Sequence, residues 1–140
     1  MKNLGYLTKE KSMYYFNLVV IDDDIVTLEL VQLILKDVIL GEIHVFSDSK
    51  QALDYVQTDS MDKISLVICD WLMPQVSGLE ILAALRKSKP ECPFLMITAN
   101  ATKQLVIDSM RLGANDFIVK PIHTHELLNK VEQLIRDANG

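Results

Sequence analysis

In Ser65–Gly78, SLVICDWLMPQVSG, the apolar run Leu66, Val67, Ile68 and Cys69 ends abruptly in a carboxylate, Asp70. The chain then breaks into a loop punctuated by Pro74 and Gly78. So short an apolar run, flanked by turn residues, predicts a fully buried strand of a parallel sheet. Asp70 then stands at the carboxyl end of a central strand, where open α/β sheets place their ligands.

Working outward, the same pattern recurs on both sides. Leu18 to Ile21 is an apolar strand closed by Asp22, Asp23 and Asp24, the last of which can cap the next helix. That helix sets Leu28, Val31, Ile34, Leu35 and Val38 at helical spacing, with Gly41 as a stop near its end. Glu42 to Phe46 reads as a second strand, and Ser47 or Asp48 opens a helix with Ala52, Leu53 and Val56 facing inward. After Asp70, Gly78 to Lys87 forms a helix with Leu79, Leu82 and Leu85 on its core side. Phe94 to Ile97 is a strand ending at Thr98, and the helix from Lys103 to Leu112 stops at Gly113. Asp116 to Val119 is a strand ending in Lys120 and Pro121, and Thr124 to Asp137 closes the chain with Leu127, Leu128, Val131, Leu134 and Ile135 inward. This alternation of strand and helix implies right-handed crossovers and a doubly wound five-stranded parallel α/β sheet with helices on both faces.

Composition bounds the function. At 140 residues, 49% hydrophobic and 24% charged, the chain is sized for one globular domain. Its 14 Lys and Arg against 19 Asp and Glu give a net charge of −5, which argues against direct contact with nucleic acid. No apolar run is long enough to insert in a membrane and no signal peptide is evident, so a cytoplasmic location is expected. Cys69 and Cys92 read as buried thiols rather than a disulfide. Residues 1–16 show no clear period and are taken as a leader of unassigned role, with the domain proper at 17–140.

Four strand ends carry residues that can act: Asp22 and Asp23, Asp70, Thr98, and Lys120. On one edge of the sheet they become a cluster of carboxylates, a hydroxyl and an ammonium. Close carboxylates repel one another until a cation offsets their charge, and Mg²⁺ suits a site with few protein oxygens and a phosphate. Lys120 and Thr98 can then neutralise and hydrogen-bond a phosphoryl group on Asp70. An ionised Asp needs no general base to act as nucleophile. Each feature has an ordinary explanation when taken alone. The Asp22–Asp24 run can simply cap a helix, Thr98 can end a strand, and Lys120 can be a solvated charge; it is their convergence that favours the metal site. His123 and His125, two residues apart at a helix start, share no helix face and are read as surface or capping residues rather than a zinc site. His44 is expected to be partly exposed, Met96 and Met110 to pack, Phe117 to lie in the core, and Trp71 to be partly exposed beside the metal.

The acidic pair, DWLMPQVSGLE, MITANATK and FIVKP, in this order and spacing, resemble the receiver domain of two-component response regulators, especially the stand-alone chemotaxis-type receivers. The likeness covers about residues 17–137. It implies the flavodoxin-like strand order 2-1-3-4-5 and a phosphorylation-dependent switch. Asp70 would accept the phosphoryl group from the phosphohistidine of a sensor histidine kinase or histidine phosphotransfer protein, with Lys120 and Thr98 completing the phosphoryl site. Asp23, Asp70 and the Leu72 backbone carbonyl would ligate Mg²⁺, with Asp22 acting through water. Thr98 and Phe117 would be the switch pair, and the Lys120–Pro121 bond would be cis. Signalling would pass to a downstream protein through the face of the fourth helix, fifth strand and fifth helix, since the chain ends directly after the fifth helix; a homodimer through that face is left open. Only self-catalysed phosphotransfer and autodephosphorylation are expected, without turnover of outside substrates.

Leu72 and Asn100 depart from the polar and acidic residues frequent at those positions in stand-alone receivers. Both flank the path of the water that would hydrolyse the phospho-Asp, and an apolar Leu72 is expected to slow it. Two other readings are weighed. A Mg²⁺-dependent phosphatase of the haloacid dehalogenase type would need an acid two residues after the nucleophile, where Leu72 stands. A phosphorylation-independent binding module would not be expected to retain the acidic pair, Thr98 and Lys120 together.

Overall fold

The computed structural model describes residues 16–58 and 63–139. The leader of residues 1–16 lies outside them except for Phe16. Strands β1 (Phe16–Ile21), β2 (Gly41–Phe46), β3 (Leu66–Asp70), β4 (Phe94–Thr98) and β5 (Asp116–Val119) alternate with helices α1 (Ile25–Leu35), α2 (Ser49–Gln57), α3 (Gly78–Ser88), α4 (Lys103–Arg111) and α5 (Thr124–Asn139). All pairings are parallel and the order is β2-β1-β3-β4-β5, as the resemblance implied.

Alternation along the central strands divides the core. Leu18 and Val20 of β1 and Leu66 and Ile68 of β3 meet α1 and α5 on one face. Val19, Ile21, Val67 and Cys69 meet α2 and α3 on the other. Most residues that the sequence places inside lie there in α1, α2 and α5, among them Leu28, Val31, Ala52, Val56, Leu127 and Val131, while Ile34 and Leu53 are half-buried against the core.

Local chemistry fixes the entry to each helix. Asp24 caps α1 by accepting from the Val26 amide, and Asp48 caps α2 by accepting from Lys50 and Gln51. In α3, Ser77 and Glu80 form a reciprocal capping box.

Four expectations are corrected. Helix α1 ends at Leu35, well before Gly41, which instead opens β2 at φ 133°, where a Cβ would overlap the Phe16 carbonyl. The core face of α3 is Gly78, Ile81, Leu82 and Leu85, whereas Leu79 is 39% exposed. A Cβ at Gly78 would overlap the Asp70 carbonyl, so this residue sits hard against β3 and sets the helix rotation that turns Leu79 outward. Met110 is 43% exposed because α4 buries fully only Ser109, while Met96 packs as expected. Trp71 is buried, not partly exposed: its amide continues the ladder to the Ile97 carbonyl at 2.9 Å, and its side chain follows Cys69 into the core on the α2–α3 face.

Candidate functional site

The parallel register delivers the strand ends to one edge. Ile21 lies beside Cys69, Asp70 beside Ile97, and Thr98 beside Val119, so the next residues, Asp22 and Lys120, reach the same edge from opposite sides of β3. Carboxylate oxygens of Asp22, Asp23 and Asp70 lie within 4.8 Å of one another. Asp22 is 0% exposed and Asp70 6%, whereas Asp23 faces solvent.

Lys120 joins the two buried acids, its Nζ lying 2.8 Å from Asp22 Oδ2 and 3.4 Å from Asp70 Oδ2. The other Asp22 oxygen, Oδ1, accepts from the Asp24 amide at 2.9 Å, which ties the acidic loop to the start of α1. Burial and then the charge of Asp22 push Asp70 up to about 6 from its ordinary 3.8, against the opposing pull of Lys120. Burial works against the Lys120 charge, but its bond with Asp22 and the charges of both acids outweigh that and hold it above 10.5. Three acids facing one ammonium leave the pocket with excess negative charge, which adds to burial in raising Asp70. The donor set is all oxygen, clustered, and open to solvent at Asp23, which fits a hard divalent cation.

The other expected residues fall around this centre. Thr98 is fully buried at the end of β4; its Oγ1 accepts from the Asn100 amide at 3.2 Å, and its carbonyl accepts from the Lys120 amide at 2.8 Å. Leu72 turns its side chain outward, 66% exposed. Phe117 is half-buried rather than core, with the Lys130 ammonium 5.6 Å from its ring centroid and that ammonium 2.9 Å from Asp116 Oδ1. The Lys120–Pro121 bond is cis, as the resemblance implied. His123 and His125 are exposed, and His44 is partly exposed with its Nε2 2.9 Å from Glu42. Cys69 and Cys92 are free and buried; burial raises both thiols, Cys92 to about 11, so neither is poised for thiolate chemistry.

One contributor was not anticipated from the sequence. The loop after Asp70 makes a tight turn in which the Val76 amide donates to the Pro74 carbonyl at 2.8 Å, with Gln75 between them at φ 72°. This is a γ-turn with a non-glycine residue in the left-handed region, a strained arrangement. Ser49 of α2 grips both of its ends, Oγ donating to the Pro74 carbonyl at 2.7 Å and accepting from the Val76 amide at 3.2 Å. A contact across 27 positions leaves no local signal in the sequence.

An acidic pocket with a bridging lysine, at the carboxyl edge of a five-stranded 2-1-3-4-5 sheet, is the architecture of a signalling receiver. The profile of the response regulator receiver domain matches residues 18–132, and the chain belongs to that family. Among its relatives is the chemotaxis protein CheY of Pseudomonas aeruginosa, 26% identical over 88% of this chain and 98% of that protein. The alkaline phosphatase synthesis transcriptional regulatory protein SphR of Synechococcus elongatus is 30% identical over 88% of this chain but 50% of its own length. The chain thus spans half of that regulator and nearly all of the chemotaxis protein. A CheY-like receiver domain structure from Methanospirillum hungatei has the same fold, with TM-score 0.81 and 21% identity, covering 90% of this chain and 98% of that one. Among the described residues, no helix is long and apolar enough to cross a membrane.

Proposed function

We propose that this receiver is a phosphorylation-dependent switch whose acceptor is Asp70. The observation that carries the reading is the cluster of Asp22, Asp23 and Asp70 oxygens within 4.8 Å, two of the acids being joined by Lys120. An Asp70 carboxylate oxygen attacks the phosphorus of a phosphohistidine on a histidine kinase or phosphotransfer protein. The P–N bond breaks as the P–O bond forms, and the imidazole leaves with a proton from solvent. Asp23, Asp70 and the Leu72 carbonyl would hold Mg²⁺, with Asp22 acting through water; the bound cation supplies charge neutralisation for the phosphoryl oxygens.

Lys120 already lies between the two buried acids, and on phosphorylation its ammonium pairs with a phosphoryl oxygen. The Thr98 hydroxyl donates to another, and Phe117 turns into the space it leaves, exchanging its place beneath Lys130 for one in the core. The change is read on the α4–β5–α5 face, where Met110, Leu112 and Val119 are exposed. A protein partner, or a second copy of the chain, would dock there, and the setting is the cytoplasm.

The test is intact mass after incubation with acetyl phosphate. One phosphoryl group is expected on wild type only with Mg²⁺ and none on Asp70→Asn. No adduct on wild type, or an equal adduct on the variant, would remove Asp70 from the role.

A further inference from the structure

We infer that Ser49 is a positioning residue for the phosphoryl site, acting through the loop that follows the acceptor. The inference rests on the reading of Asp70 and Mg²⁺ just proposed. The loop from Asp70 to Gly78 is fixed at two places. At its base the Gly78 amide donates to the Trp71 carbonyl at 2.8 Å. At its tip, Ser49 holds the Pro74 carbonyl and the Val76 amide together. Leu72, whose carbonyl is the proposed ligand, lies between these points, so its backbone is fixed from both sides.

The tip does not hold itself. Gln75 at φ 72° occupies a conformation that side chains with a Cβ disfavour, and on the sequence alone the turn would relax. Ser49 is 5% exposed and its hydroxyl has no role within α2, whose cap is the neighbouring Asp48. It uses its donor and an acceptor position on the one strained turn. A cavity of about 230 Å³ runs between this tip and the acidic loop, lined by Asp23, Ser47, Asp48, Ser49, Pro74 and Gln75. The Ser49 clamp therefore lines the same space as Asp23. A loop released from Ser49 would no longer hold the Leu72 carbonyl at a fixed position relative to the carboxylates.

The test is calorimetric titration of the full chain with MgCl₂, alongside amide exchange at Val76 without metal. Ser49→Ala is expected to speed Val76 exchange and to weaken Mg²⁺ binding about tenfold, the scale seen when groups orienting metal ligands are removed. Ser49→Thr keeps the hydroxyl and should bind Mg²⁺ as wild type does. Arg86→Lys, at the far end of the sheet, should lower the melting temperature without moving the Mg²⁺ affinity. Wild-type binding that Ser49→Ala leaves intact overturns the positioning role, as does equal weakening in Ser49→Thr or Arg86→Lys. Wild type that takes up no Mg²⁺ overturns the metal reading itself, and Ser49 falls with it.

Discussion

Replacing Asp70 by Asn should make the metal-free protein more stable, although it removes the proposed acceptor. Asp70 is 6% exposed, and burial together with Asp22 raises its carboxyl to about 6 from 3.8. An acid whose pKa is raised on folding holds its proton more tightly in the folded state. The contribution of Asp70 to stability is therefore most favourable below 3.8, declines as pH rises through the window from 3.8 to about 6, and stays lower above it. The ionised form costs about 3 kcal/mol at neutral pH. The amide in Asp70→Asn would keep the shape and remove the charge, while Lys120 retains its 2.8 Å partner Asp22. With an unfolding entropy of about 0.3 kcal/mol/K for a chain of this length, that corresponds to roughly 10 °C. The assay is thermal unfolding by circular dichroism in EDTA from about pH 3.5 to 8, a range that brackets the window. The two proteins should melt together at the acid end and separate across the window, Asp70→Asn standing about 10 °C higher at about pH 7.5. Adding Mg²⁺ at about ten times its Kd should raise wild type by about 1.4 kcal/mol and the variant by less, narrowing the gap. A variant that melts with or below wild type in EDTA at the alkaline end of the range would refute the argument, since Asp70 would then not be in conflict with its surroundings.

Three further outcomes follow from the same geometry. Lys120→Gln leaves Asp22 fully buried without its ion pair and should lower stability by about 3 kcal/mol in EDTA, measured by urea unfolding. Arg86→Ala removes the guanidinium bonds to the Gly113 and Cys92 carbonyls and should lower stability by about 2 kcal/mol while leaving Mg²⁺ affinity unchanged by calorimetry. Leu72→Asn, at a 66% exposed position beside the acceptor, should shorten the life of the phosphorylated form severalfold with little change in melting temperature; an unchanged lifetime by intact mass would show that the apolar side chain does not obstruct the water.

The fold was legible because its signals are local. The runs at Leu18–Ile21, Leu66–Cys69 and Phe94–Ile97 are apolar on both faces, as strands covered by helices on each side must be. Asp22, Asp23, Asp70 and Lys120 could be grouped from the sequence because parallel strands ending in polar residues share an edge. What escaped depends on contacts between distant segments. Leu79 fits the helical spacing as well as Ile81 does, and only the close approach of Gly78 to the Asp70 carbonyl decides which of them turns inward. Trp71 was misplaced because the ladder continues one residue past the strand. Ser49 carries no mark at all, since its partners are 25 and 27 positions away.

The Arg86 guanidinium has a consequence for where the molecule can yield. It fastens the end of α3 to the Cys92 and Gly113 carbonyls and to Asn115 Oδ1, which in turn accepts from the Phe94 amide at 2.8 Å. All of these groups lie at the amino ends of β4 and β5. The opposite ends of the same strands carry Thr98 and Lys120, and α4 beside them buries fully only Ser109. The two strands are thus like reeds rooted at one end, fastened by Arg86 at the base and flanked by a shallowly packed helix at the tip. A displacement of Thr98 would be expected to spread sideways into α4 rather than towards the anchored amino ends. Amide exchange should show this as a gradient along each strand, slow at Phe94 and faster towards Thr98.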